Sequence, residues 1–229
     1  MSRKILSLVG LFLVMVFMQS CSSDPEKNLL DRYFQADSLG DVATLSSMAI
    51  SPLSIKADSY EILSVTEEVI EPATLPDLNK KYLDLKKLTE DSVQTTLLFS
   101  DELDNAKFEE ETSRTTAAKR AARTKVSAAQ AKYDEQYEKT KNVRTERNDA
   151  EDAAKKEEGI TLFSLGVQEL INVRDLTGTV IFKEVTVRTV GDEGTKDYTF
   201  FLRRYMLEDE ASNTHWRGNY KIILIKSLD

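Results

Sequence analysis

What most constrains this chain is an absence. Between Pro76 and Gly159 lie 82 consecutive residues with neither glycine nor proline. Proline disfavours a helix interior by about 3 kcal/mol and glycine by about 1 kcal/mol, so nothing in that stretch forces a helix to break. Good helix formers (Ala, Lys, Glu, Arg, Gln) fill its second half. One helix of that length would run roughly 120 Å at 1.5 Å per residue, but the charges argue for two shorter ones. From Glu90 to Glu111 eight acids (Glu90, Asp91, Asp101, Glu102, Asp104, Glu109, Glu110, Glu111) stand against Lys107 alone. Then come Arg114, Lys119, Arg120, Arg123 and Lys125, with no acid before Asp134. Folding the chain back near Thr112–Thr116 lays the acidic segment beside the basic one. Each exposed pair contributes little, yet a row of them sets antiparallel register.

Side-chain size agrees. The fold-back is expected to set Phe99, Leu103 and Phe108 opposite Ala117, Ala118, Ala121, Ala122 and Ala128. Further on, Val126, Ala129, Tyr133, Gln136, Thr140, Val143, Arg147, Ala150 and Ala154 keep the 3,4 spacing of a coiled-coil seam, with Gln136, Thr140 and Arg147 as polar members. Thr112, Ser113, Thr115 and Thr116 suit a turn and an N-cap. Glu135–Lys139 and Glu151–Lys155 are i,i+4 pairs for the exposed face. The expectation is an antiparallel helical hairpin, arms over 79–111 and 116–157, about 50 to 60 Å long. The second arm offers mostly alanine and two tyrosines, too little apolar surface for a compact bundle, so the hairpin is expected to protrude.

The N-terminus reads as a processing signal. Arg3 and Lys4 precede an apolar run from Ile5 to Phe17, which ends at Met18-Gln19-Ser20-Cys21. The run is short of the roughly 20 residues a membrane span needs and fits a signal-peptide core. Its end resembles a bacterial lipobox, with Ser20 at the small position before cysteine; Met18 and Gln19 depart from the usual residues. Cys21 is the only cysteine of the chain. The resemblance implies cleavage before Cys21, acylation of that residue (palmitate being the usual chain), and residence in a bacterial cell envelope. In a diderm cell, Ser22 in place of Asp is compatible with the outer membrane, facing the periplasm or the surface. Processing also leaves no cysteine for a disulfide.

Asp24-Pro25-Glu26 reads as N-cap, first helical position and first-turn acid. Leu29, Leu30, Tyr33 and Phe34 give a short helix one apolar face, and Gly40-Asp41 ends it and caps a second helix carrying Leu45, Met48 and Ala49. Ser51-Pro52 breaks that one. Tyr60–Ile70 is a strand by composition, with Leu63, Val65 and Val69 alternating, and Pro72 and Pro76 stiffen the lead into the hairpin. After Gly159, residues 160–176 suggest a short helix. Three strands are then expected. Thr179–Val190 sets Val185 and Val187 on one face; Lys196–Leu207 sets Tyr198, Phe200, Leu202 and Met206 against Thr199, Arg203 and Tyr205; His215–Ile225 sets Trp216, Tyr220, Ile222 and Leu224 on one face. This is an antiparallel meander with one buried face.

The fold class expected is therefore α+β: a small antiparallel sheet with short N-terminal helices and a long inserted antiparallel coiled-coil hairpin. By residue, 1–20 is the lipoprotein signal peptide, 21–76 with 159–229 the α+β domain, and 77–158 the hairpin insertion. The helices over Leu29–Ile50, the strand Tyr60–Ile70 and the meander Thr179–Ile225 resemble the NTF2-like and cystatin-like α+β rolls. That resemblance covers about half the chain, carries no specific motif, and implies a concave sheet able to hold a ligand.

Catalytic signatures do not emerge. Nucleophile elbow, HExxH, paired CxxC and Walker A patterns are missing from the sequence. Gly191-Asp-Glu-Gly194 reads as a hairpin turn. His215 is the only histidine, which excludes a histidine metal cluster, and the acidic turns lack calcium-loop spacing. A net charge of −8 argues against general nucleic-acid binding. The expectation is a non-enzymatic, lipid-anchored protein without cofactor or metal, held to the membrane at Cys21. Its hairpin would engage an envelope protein or a second copy of the chain, with Glu109, Glu110, Glu111, Arg114, Lys119 and Arg120 as the contact charges at the tip. Two other readings use the same parts: an NTF2-like ligand-binding or enzymatic domain with the hairpin as a lid, and a small relative of the efflux adaptors.

Overall fold

The computed structural model describes residues 24–228 apart from Glu193 and Glu210; the signal segment and Cys21 lie outside the described residues. In chain order the elements are α1 (Pro25–Leu39), α2 (Val42–Met48), β1 (Ala57–Val65), β2 (Val69–Pro72), α3 (Leu75–Thr112), α4 (Thr116–Leu165), a 3₁₀ turn (Val173–Asp175), β3 (Thr177–Gly191), β4 (Gly194–Asp209), β5 (Thr214–Arg217) and β6 (Lys221–Ser227). The strands form one six-stranded sheet in the order β1-β3-β4-β5, with β2 also on β3 and β6 also on β4. The fold is α+β, with a curled antiparallel sheet and two long helices packed on each other.

The chain divides into two compact units. One gathers the described residues up to Ile70, Ile181–Arg204 and those from Gly218 on; the other holds Glu71–Val180 and Tyr205–Arg217. In the first, α1 lays Leu29, Leu30, Tyr33 and Phe34 against Val185, Val187, Phe200, Leu202 and Ile222. The rings of Tyr33 and Phe34 meet Phe200 edge-on at 5.6 and 5.8 Å, and Phe34 stacks on Tyr60 at 4.3 Å. Large offset and T-shaped ring contacts of this kind dominate the energetics of a small core. The Tyr33 hydroxyl donates to the Leu53 carbonyl at 2.7 Å and accepts from the Leu53 N–H at 2.9 Å. Asp37 Oδ2 accepts from the N–H groups of Ile55 and Lys56. Together the two side chains pin the loop that follows α2. Burial pushes the Tyr33 phenol up to about 12, so it stays protonated.

Several strand expectations need correction. The stretch Tyr60–Ile70 is two strands, and β1 turns Tyr60 and Ile62 inward while Leu63, Val65 and Val69 are exposed. The reason is register: Tyr60 pairs with Thr189 and Ile62 with Val187, which belong to the buried face of β3. On β4, Tyr198, Phe200 and Leu202 are buried as expected, but Met206 is exposed and Tyr205 is fully buried. Tyr205 and Leu207 belong to the second unit, where the Tyr205 N–H donates to Ser164 Oγ and its hydroxyl to Glu157 near the end of α4. On β3, Val180 and Ile181 are adjacent and both buried, one in each unit. The last expected strand is broken at Gly218–Tyr220 into β5 and β6, and Leu224 is exposed.

The hairpin helices are longer than expected. Gly159 does not end α4, which runs on to Leu165 and so takes in only the first residues of the stretch 160–176 where a short helix was foreseen. Burial of Ile160, Thr161 and Ser164 outweighs the roughly 1 kcal/mol that glycine costs a helix interior. The stop is Gly166, at φ 72°, with N–H groups of Gly166 and Val167 returning to the carbonyls of Phe163 and Leu162. A second glycine is fixed by contact. Gly178 has φ 135°, and a Cβ there would lie 2.2 Å from the Met206 carbonyl oxygen. At the other end, Asp24 stands at the N-cap of α1 but makes no side-chain cap bond; Pro25 and Glu26 occupy the first turn as expected, with Glu26 buried against Lys183.

Candidate functional site

The hairpin is assembled from a seam on each helix. On α4 the positions read from sequence, Val126 through Ala154, are all buried or half-buried, and the 3,4 spacing continues through Glu157, Thr161 and Ser164. On α3 the matching seam is Leu75, Leu78, Tyr82, Leu85, Thr89, Ser92, Thr96, Phe99, Leu103 and Ala106. Midway, the seam turns polar. Ser92 and Thr140 hydroxyls lie 2.7 Å apart, Thr96 and Thr140 hydroxyls 2.8 Å apart, and Gln136 Nε2 donates to Ser92 Oγ at 3.0 Å. Thr140 also reaches the Ser92 carbonyl at 3.2 Å. Ser92 and Thr140 are buried and all these groups are partnered, so the layer fixes which turn of α3 faces which turn of α4. Sequence reading found the α4 half of this seam. Of the α3 half it found only Phe99 and Leu103, because Thr89, Ser92 and Thr96 interrupt an apolar search in mid-helix; the spacing itself was the available signal.

Charge sets the same register nearer the turn. Lys125 Nζ lies 2.7 Å from Glu109 Oε1, Arg123 Nε 2.8 Å from Glu110 Oε1, and Lys132 Nζ 3.6 Å from Glu102 Oε2. The turn is Ser113-Arg114-Thr115, closed by Thr115 Oγ1 accepting from the Ala118 N–H at 3.2 Å and Ser113 Oγ donating to the Glu109 carbonyl at 2.7 Å. Of the six tip residues singled out from sequence, Glu109 and Glu110 are therefore engaged across the hairpin. Glu111, Arg114, Lys119 and Arg120 are exposed and form no ion pair among the described residues. Phe108 is exposed rather than set against alanines, because it falls two positions past the seam residue Ala106. Of the alanines expected opposite, only Ala122 is buried. Leu83, Leu97 and Leu98 are likewise left on the outside of α3, and Tyr137 on α4.

The sheet-bearing unit has its own polar cluster. Glu26 on α1 and Lys183 on β3 form a buried ion pair, and Lys183 lies 3.7 Å from Glu68. Glu68 also takes the Tyr220 hydroxyl at 2.8 Å and faces Arg204 at 3.3 Å, whose guanidinium sits 4.7 Å over the Tyr220 ring. The Tyr220 hydrogen bond, helped by Arg204 and Lys183, holds the Glu68 carboxyl below its ordinary range. Burial, reinforced by the carboxylate it faces, pushes the Tyr220 phenol up. Beside the cluster a cleft of about 630 Å³ is lined by Glu26, Asp31, Tyr60, Ile62 and Lys183, among others. Tyr60 donates to Asp31, and burial pushes its phenol up as well. At neutral pH these tyrosines are protonated and the acids mentioned are matched by donors, an arrangement suited to tying α1 and the β1–β2 loop to the sheet. No sequence signal foretold it, since its members come from places far apart in the chain.

Among the described residues there is no group of His, Cys, Asp and Glu placed to hold a metal ion. No helix there is long and apolar enough to cross a membrane. His215 is exposed beside Glu208 on β5, and Gly191 and Gly194 bound the turn between β3 and β4. The molecule thus belongs to the α+β proteins that carry an antiparallel helical hairpin. Compared with protein-family models, curated proteins and solved structures, the chain matches none.

Proposed function

We propose that this chain is a non-enzymatic, lipid-anchored protein of a bacterial cell envelope that meets a protein partner through its helical hairpin. The observation that carries the reading is the mismatch between the hairpin's inside and outside. Its fully buried positions are filled largely by alanine and hydroxyl side chains, while Leu83, Leu97, Leu98, Phe108 and Tyr137 lie exposed on its flanks. Two helices of 38 and 50 residues run roughly 57 and 75 Å, a long span of ordered backbone for a seam that buries so little. A contact surface accounts for that disposition better than a core does. The four unpaired charges at the turn supply steering for an encounter, and Cys21 supplies the anchor.

The test is photo-cross-linking in cells from a reactive residue placed at Lys119. An adduct with an envelope protein is expected from the intact chain, and its loss is expected in two variants. One reverses Arg114 and Arg120 to Glu; the other replaces Cys21 with Ser and leaves the chain unanchored. An adduct that persists in both variants would remove the tip and the anchor from the mechanism.

A further inference from the structure

The cleft beside the Glu26–Lys183 pair plays no part in the hairpin's contacts. It measures about 630 Å³, in the range of small-molecule sites, and α1, β1 and β3 supply its lining. The charged members are Asp24, Glu26, Lys27 and Asp31 at the start of α1 and Lys183 on β3, three acids against two bases. Lys183 is already shared between Glu26 and Glu68, and Glu68 also faces Arg204. Lys27 is exposed and forms no ion pair among the described residues. The carboxylates are only half used. Glu26 Oε1 takes Lys183 and Asp31 Oδ1 takes the Tyr60 hydroxyl. The second oxygen of each, and both side-chain oxygens of Asp24, meet no donor among the described residues.

Glu26 is the telling member. Its side chain is 5% exposed, yet its second oxygen is not sealed from solvent, so that oxygen opens on the cleft its residue lines. A carboxylate oxygen held in so buried a place gains most from a charged donor. The β1 part of the lining is of another kind: Ile62, Val65 and the ring of Tyr60, which stacks on Phe34 at 4.3 Å. Aliphatic side chains there favour an apolar body, and an aromatic ring favours a cation. An anion would meet three carboxylates, and a neutral hydrocarbon would leave their free oxygens without donors. We propose that the cleft is a binding site for an organic amine, with the ammonium group on the free carboxylate oxygens of α1 and the hydrocarbon against Ile62 and Val65.

The probe is isoamylamine, titrated into the full chain in mild detergent and followed by two-dimensional NMR of the backbone amides. Isoamyl alcohol and isovalerate carry the same hydrocarbon without the positive charge and serve as comparisons. The amine is expected to shift amides within 24–31, 60–65 and 183, and to bind about tenfold or more tightly than either comparison. The pair Asp24→Asn with Asp31→Asn should weaken amine binding about tenfold. Both side chains are exposed, and an amide oxygen at position 31 can still accept from Tyr60, so circular dichroism should be unchanged. Lys27→Glu should strengthen amine binding, a gain that loss of folding cannot imitate. An amine that binds no better than the alcohol overturns the proposal, as do shifts confined to other parts of the chain. A double variant that binds like wild type, or a Lys27→Glu variant that binds more weakly, overturns it too. Reversing Arg114 and Arg120 should leave amine binding untouched, so the failure of this reading is distinct from that of the hairpin's.

Discussion

In the unit that holds α1, α2 and most of the sheet, the core contains a knot of rings, Tyr33, Phe34 and Phe200. In the hairpin unit, midway along the seam, lies a layer of hydroxyls and one amide, Ser92, Thr96, Thr140 and Gln136. Fully burying a large apolar side chain stabilises by about 1.5–3 kcal/mol, whereas a satisfied hydrogen bond contributes about 1 kcal/mol net. The rings hold their unit together without favouring one alignment over another with much precision of their own. The hydroxyl layer contributes less free energy but penalises every wrong alignment, since a slipped register would strand buried polar groups.

The sharpest way to break this contrast is Phe200→Ala. With the ring fully buried between Tyr33 and Phe34, a loss of about 3–5 kcal/mol is expected, read by denaturant unfolding followed through tyrosine near-ultraviolet signals. A loss below 1 kcal/mol would mean the ring knot is not what holds the unit. A smaller effect is expected from Thr140→Val, about 1 kcal/mol, because Ser92 and Gln136 lose a shared partner while the volume is nearly kept. The telling result is a change of register, seen as altered distances between spin labels on the two helices. Replacing Ser92, Gln136 and Thr140 together by apolar residues should stabilise the hairpin and broaden those distances.

The smallest effect concerns Glu68 and pH. Its folded-state pKa is depressed, first by the Tyr220 hydroxyl, so the stabilisation is present above the ordinary carboxylate value and fades as pH falls through the lower folded value. Melting temperatures of wild type and Glu68→Gln should therefore differ near neutrality and converge in acid. A gap that is constant across that range would show that the ionised carboxylate contributes nothing.

The contrast also explains what could be read before any coordinates. Period is written into sequence, so the α4 seam from Val126 to Ala154, the fold-back beside Arg114 and the buried faces at Val185, Val187, Phe200 and Leu202 were legible. What escaped depended on long-range cover. Tyr205 could not be placed inward from alternation alone, because its burial depends on Ser164 and Glu157 near the end of α4, 41 and 48 residues earlier in the chain. Gly159 could not be known as mid-helix without the burial of Ile160 and Ser164 beyond it. The Glu26–Lys183–Glu68 cluster unites three distant segments through charges that look solvated in sequence. The candidate site was half legible: the row of acid–base pairs across the fold-back could be read, and Lys125–Glu109 and Arg123–Glu110 realise it, but not that this pairing takes Glu109 and Glu110 out of the free charges at the tip.

The hydroxyl layer has a further consequence for how such a chain can change over generations. Because Ser92 must meet Thr140, an insertion or deletion in one arm alone throws every later layer out of step. Only paired changes of seven residues, one in each arm and on the same side of that layer, leave the two seams matched. Each such step moves the turn by about 10 Å. The hairpin is therefore a graduated gauge. The distance it spans is heritable only in discrete increments, and a partner that reads that distance would tolerate a whole step or none.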